Sequence, residues 1–179
     1  MPGIVGPIIK AAAFAANKHR NQRRKDAEAS PYINHPIALA DVLVNEGGIE
    51  DPTVLCAAIL HDTIEDTETI PEELERHFGR HVTAIVLEVT DDKTLDKQVR
   101  KQLQVDHTPH ISREAKLVKL ADKICNLRDI LDSPPADWSR ERKRAYVDWS
   151  DQVIAGLRGT HPGLEAIFDA LRDRREELR

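Results

Sequence analysis

Two cysteines, no apolar run of membrane length and no excess of positive charge set the first limits on this chain of 179 residues. Cys56 and Cys125 stand outside any CxxC pattern, so they read as reduced core thiols of a cytosolic protein, not as a disulfide framework. No stretch approaches the ~20 apolar residues that span a bilayer. The N-terminal segment MPGIVGPIIKAAAFAANKHR is interrupted by Lys10 and has no basic region ahead of its apolar residues, so a signal peptide is not expected either. No alternating apolar–polar pattern of useful length occurs and nothing repeats internally, which argues against sheets and repeat arrays. The formal net charge of −5 argues against nucleic acid as the main partner. The expectation is a soluble, cytoplasmic, single compact domain over residues 1–179, with a substantial core and no membrane contact.

What is present is helix punctuation. An Ala-rich helix is expected over 7–19, followed by the polar loop NQRRKDAEASPYIN. Pro36 suits a first helical position, and IALADVLVNE runs to a Gly47-Gly48 stop. Asp51-Pro52 opens the next helix. Thr69 and Glu72 have capping-box spacing, and Gly79 ends the helix they would start. Val82, Ile85, Val86 and Val89 form a helical stripe, and DDKTLDKQVRKQLQ after it is polar and charged. Ser112 caps a long helix through Leu131, Ser139 one that reaches Gly159, and Thr160-His161-Pro162 starts the last. The chain reads as all-α, a bundle of roughly eight helices.

Residues 54–66, VLCAAILHDTIED, carry the most information. Val54, Leu55, Ala57, Ala58, Ile59 and Leu60 cover every side of a helix, so it belongs in the interior. A buried carboxylate costs several kcal/mol unless a positive charge neutralises it. If the helix continues, His61 and Glu65 are i,i+4, as are Asp62 and Asp66, so two pairs project toward one region. This points to a metal held by His61 and Asp62, with Glu65 and Asp66 acting on water beside it. The plain alternative, a solvated acidic helix end, does not explain why the acids follow an apolar run at helical spacing.

Two further ligands suggest themselves. His35, in PYINHP, would by itself be an ordinary helix-end histidine. Asp122, in AKLVKLADKICNLRDIL, would by itself be an aspartate paired with Lys119 or Lys123 on a solvated side, and it stands i,i+4 from Asn126. Taken with His61 and Asp62, they complete a two-His, two-Asp set suited to a divalent first-row metal such as Mn²⁺ or Fe²⁺. Basic residues cluster at Arg23-Arg24-Lys25 and at Lys97, Arg100 and Lys101, while Arg142 and Tyr146 are i,i+4. Arg23, Arg100 and Lys101 read as solvated faces. Arg and Lys near a divalent metal nonetheless suit a polyphosphate substrate, with an Arg plane or a Tyr ring to stack on a base.

The ordered set His35, His61-Asp62, Glu65-Asp66 and Asp122 resembles that of the HD-domain metal phosphohydrolases. NQRRKDAEASPYINHPIALA, AAILHDTIEDT, VTDDKTL and AKLVKLADKICNLRDI together resemble the (p)ppGpp hydrolase domain of RelA/SpoT enzymes, in particular small stand-alone hydrolases of the metazoan SpoT homologue type. The resemblance runs from about Ile8 to Leu171. It implies a Mn²⁺-dependent 3′-pyrophosphohydrolase that converts ppGpp or pppGpp to GDP or GTP plus pyrophosphate. It also implies that His35, His61, Asp62 and Asp122 hold the metal and that Glu65 and Asp66 activate water. Arg24 would lie against guanine with Lys25 beside it, Asn126 and Tyr146 would hold sugar and phosphates, and Lys97 and Arg142 would lie near the phosphates. The bifunctional relatives continue into synthetase and regulatory domains, for which 179 residues leave no room, so hydrolysis alone is expected. Two other readings stay open at this point: action on another nucleotide, such as removal of the NADPH 2′-phosphate, and a non-catalytic nucleotide-binding module.

Overall fold

Val54 through Leu60 are all buried in the computed structural model, which describes residues 3–178. They form α3 (Pro52–Leu60), which opens on Asp51 accepting from the Thr53 amide at 2.8 Å, with Pro52 in the first turn. Around α3 pack α1 (Val5–Lys18), α2 (Asn34–Asp41), α5 (Pro71–Val89) and α7 (Arg113–Asp132). The second axial element, α7, buries residues on nearly every side and also contacts α8 (Arg140–Ala155) and α9 (Pro162–Asp173). A single turn, α4 (Thr63–Asp66), and α6 (Lys97–His107), which packs on α8, complete the set. Among the described residues eight α-helices have eight residues or more, and none is long and apolar enough to cross a membrane. Among the described residues no β-strand is formed; one isolated bridge, Arg23 to Pro31, closes the loop that carries Arg24 and Lys25. Each fully buried Leu or Ile contributes roughly 1.5–3 kcal/mol, so α3 and α7 hold rigidly whatever their ends carry.

The expected caps at Ser112 and Ser139 form, their hydroxyls accepting from the amides of Ala115 and Arg142 at 3.2 Å each. Gly79 divides α5 at φ 84°, ψ 165°, a conformation that only glycine adopts readily. Three expectations need correction, and one helix is added. Helix α3 stops at Leu60 instead of running to Asp66, because Asp62 leaves helical geometry at φ −100°, ψ 0°. There His61 Nδ1 donates to Ala58 O at 2.8 Å and Thr63 Oγ1 to Leu60 O at 2.7 Å, so side chains satisfy the terminal carbonyls. Thr69 caps nothing; its hydroxyl pairs with Thr67 Oγ1 at 2.7 Å, and Ile70 occupies the cap position. Helix α8 ends at Ala155, short of Gly159. The charged segment after Val89 contains a full helix, α6, capped by Asp96 accepting from the Gln98 amide at 2.8 Å.

Candidate active site

Three stretches of chain meet just beyond the end of α3. His35 lies in the first turn of α2, His61 and Asp62 directly follow α3, and Asp122 lies midway along α7. His35 Nε2 is 3.2 Å from Asp122 Oδ1, and His61 Nε2 is 3.9 Å from that same oxygen and 2.9 Å from Asp62 Oδ2. His35, His61 and Asp62 each place a donor atom within 4.8 Å of the other two. Because His61 Nδ1 is committed to the Ala58 carbonyl, its Nε2 is left to face the carboxylates. That buried nitrogen makes no hydrogen bond despite the nearness of Asp62, as expected of lone pairs aimed at a common point. Two imidazoles and two carboxylates disposed in this way fit a divalent cation.

The surroundings hold these groups in place. Asn126, one turn along α7, donates to Asp122 Oδ1 at 2.8 Å, and Lys123 Nζ is 3.3 Å from Asp122 Oδ2. Lys119 and Lys123 are both buried, so the solvated side that an unremarkable Asp122 would require does not exist. Burial opposes ionisation of Asp122, but Lys123, His35 and His61 overcome it and hold the carboxyl well below the usual carboxylate range. Burial likewise works against the His61 imidazolium, yet Asp62 and Asp122 raise its pKa to about 9, so protons compete with a metal here. Tyr32 OH donates to Asp62 Oδ2; burial first, then the Asp62 charge, push this phenol far above its ordinary pKa, and it remains a donor.

Glu65 and Asp66 follow in α4. Glu65 Oε2 accepts from the Asp91 amide at 3.0 Å. Burial pushes this carboxyl up to about 7; the Asp91 amide opposes the shift, and the charges of Asp62, Asp91 and Asp66 add to it. Asp66 accepts from Gln22 Nε2 at 2.9 Å and pairs with Lys93.

A cavity of about 360 Å³ covers the His/Asp cluster, Glu65 and Asp66, and is walled further by Arg24, Lys25, Asn126 and Tyr146. A second, of about 520 Å³, extends from Glu65 and Asp66 past Arg24 and Asn126 to Trp138. A third, of about 460 Å³, contains Lys97, Lys101, Lys123 and Arg142. All three share Lys25 and Tyr146, so the candidate site residues line adjoining cavities. Arg24 is paired with Asp129, its guanidinium 5.7 Å from the Tyr32 ring centre.

Arg100 and Lys101 do not belong to a solvated face. Arg100 lines the second and third cavities with its Nε buried and without a partner. Lys101 and Lys123 both lie over the Trp149 ring, at 4.7 and 4.3 Å, and Arg142 over Trp138 at 4.2 Å. Burial and then the charges of Lys97, Lys123 and Arg142 lower the Lys101 pKa, an unfavourable crowding that an anion in the third cavity would relieve. The sequence reading missed Tyr32, Lys93, Gln104, Lys119, Trp138 and Trp149. For Gln104 there was a usable signal, since Lys97, Arg100, Lys101 and Gln104 recur at helical spacing on α6.

Comparison with known proteins identifies the family. A family profile described as the HD domain matches residues 11–159. Guanosine-3′,5′-bis(diphosphate) 3′-pyrophosphohydrolase MESH1 of Xenopus tropicalis is 57% identical over 162 residues, 90% of this chain and 90% of that protein. The protein of the same name from Homo sapiens is 57% identical over 158 residues, 88% of each. A solved structure, described as a metazoan ortholog of SpoT that hydrolyzes ppGpp and plays a role in starvation responses, matches with a TM-score of 0.93 at 44% identity. The match covers 98% of this chain and 97% of that one. This chain belongs to the HD-domain family and, within it, to the MESH1 group.

Proposed function

We infer that the protein is a guanosine-3′,5′-bis(diphosphate) 3′-diphosphatase, which hydrolyses the 3′-pyrophosphate of ppGpp or pppGpp to GDP or GTP and pyrophosphate in the cytoplasm. The observation that carries this reading is the convergence of His35, His61, Asp62 and Asp122 beside Glu65 and Asp66, at one end of a cleft lined by cations. The MESH1 relatives bear that activity in their names. His35, His61, Asp62 and Asp122 hold one divalent ion, Mn²⁺ being the one proposed. When bound, the ion supplies Lewis-acid polarisation of the phosphoryl group and acidifies water.

The chain's own residues do the rest. Glu65, held on one oxygen by the Asp91 amide, takes a proton from the attacking water. Asp66 orients that water. Attack on phosphorus breaks its bond to ribose O3′, and the proton held by Glu65 returns to that oxygen, leaving a 3′-hydroxyl and pyrophosphate. Lys97, Lys101 and Arg142 offset phosphate charge. Arg24 and Lys25 take the base, and Asn126 and Tyr146 take the sugar and its phosphates.

The test is purified protein with ppGpp and Mn²⁺, products resolved by ion exchange, and NADPH run beside it on the same preparation. GDP and pyrophosphate in equal amounts are expected. Phosphate from NADPH without turnover of ppGpp would move the assignment to another nucleotide, and ppGpp binding without products would reduce the protein to a binding module. Tyr32→Phe checks the metal assignment. It removes the hydroxyl that orients Asp62 and is expected to weaken Mn²⁺ binding roughly tenfold, measured by titration calorimetry.

A further inference from the structure

Asp66 is gripped from two sides by segments distant in sequence. Lys93, in the loop between α5 and α6, pairs with its Oδ1, and Gln22, ahead of α2, donates to its Oδ2 at 2.9 Å. The Asp66 side chain is 16% exposed and that of Lys93 50%, so the ammonium reaches inward from the surface to a mostly buried carboxylate. The loop is built to deliver it. Asp92 Oδ1 accepts from the Thr94 amide at 2.9 Å and from its hydroxyl at 2.7 Å, closing a turn around Lys93. One residue earlier, the Asp91 amide holds Glu65, and the Asp91 carboxylate is itself held by Gln104 of α6 at 2.5 Å. Residues 91–93 thus touch both members of the Glu65–Asp66 pair.

A lysine paired with an exposed carboxylate usually contributes little. Here the acceptor is buried beside the proposed reaction centre, and both of its oxygens already receive donors. A carboxylate gripped on both oxygens is fixed in orientation, the geometry of a group that directs a neighbour. Glu65 receives one donor, the Asp91 amide, among the described residues.

We propose that Lys93 is a positioning residue, its ammonium clamping Asp66 in the orientation that directs the attacking water. This rests on the hydrolase reading above. The test is a double-mutant cycle of Lys93→Met and Asp66→Asn assayed with ppGpp and Mn²⁺, kcat and KM measured separately, with Lys93→Arg as the conservative variant. Lys93→Met is expected to lower kcat about tenfold with KM changed by less than about twofold, and Lys93→Arg to restore most of the loss. In the Asp66→Asn background Lys93→Met is expected to do little further, since the amide offers the ammonium no charge to pair with. Thermal melts of the same four proteins without substrate should show the same coupling. Equal losses in both backgrounds overturn the clamp, as does a raised KM in both, which would make Lys93 a phosphate ligand. No turnover by the unmodified protein overturns the hydrolase reading and the clamp with it, whereas turnover with independent losses overturns the clamp alone.

Discussion

Asp122→Asn is expected to strip the protein of its divalent ion and to cut turnover roughly a thousandfold, about 4 kcal/mol of lost barrier reduction. Asp122 Oδ1 lies 3.2 Å from His35 Nε2 and 3.9 Å from His61 Nε2, so one carboxylate draws both imidazoles into a single site. Asparagine keeps the shape and loses the charge. Metal content measured by plasma mass spectrometry after dialysis should fall from one ion per chain to a small fraction, and activity should fall with it. Full occupancy with lost activity would remove Asp122 from the metal shell. Asp122→Ala should differ from Asp122→Asn in stability. Lys123 is 3% exposed at its side chain and pairs with Asp122 Oδ2 at 3.3 Å. Truncation strands its ammonium in the interior, a cost of about 3 kcal/mol, which should appear as a lower melting temperature of the metal-free alanine variant.

The chain discloses its interior more readily than its cleft. Val54–Leu60 and the apolar positions of α7 are legible because burial on nearly all sides leaves a dense hydrophobic signature, and Asp51, Ser112 and Ser139 mark the starts of α3, α7 and α8 by chemistry local to the backbone. Helix α6 is harder to read: none of its residues is buried and charge dominates it, so only its Asp96 cap and the spacing of Lys97, Arg100, Lys101 and Gln104 announce it. The same physics separates the site residues. His35, His61, Asp62 and Asp122 stand out because such groups need a partner when buried. Arg100 and Lys101 look like surface charge until tertiary packing lays α6 against α8 and turns that face toward the cleft. Tyr32, Lys93 and Lys119 have no local signature, since each acquires its neighbours from a segment far along the chain.

Glu65→Gln should move activity and stability in opposite directions. Loss of a positioned proton acceptor is expected to lower kcat by at least about a hundredfold, while the metal stays bound because Glu65 is not among the proposed ligands. Stability follows from proton linkage. In the metal-free protein burial raises the Glu65 carboxyl from 4.5 to about 7. Between those values the native state binds the extra proton, so the stability that the neutral carboxyl confers is complete below pH 4.5 and is lost as pH rises through 7. Above that, the folded protein carries a buried charge at a cost of about 3 kcal/mol. Glutamine never ionises and can still accept from the Asp91 amide. The variant should therefore melt roughly 5 °C or more above the unmodified protein at pH 8, and the two should converge near pH 4.5. Calorimetry across this range in the presence of a chelator, with kinetics in Mn²⁺, reads both effects. A variant that melts lower at pH 8, or keeps kcat within a few-fold, would take the proton-accepting role away from Glu65. The predicted combination, slower and more stable, is what a carboxylate kept in the interior for chemistry should produce, because its desolvation weakens the fold and raises its affinity for the proton of water.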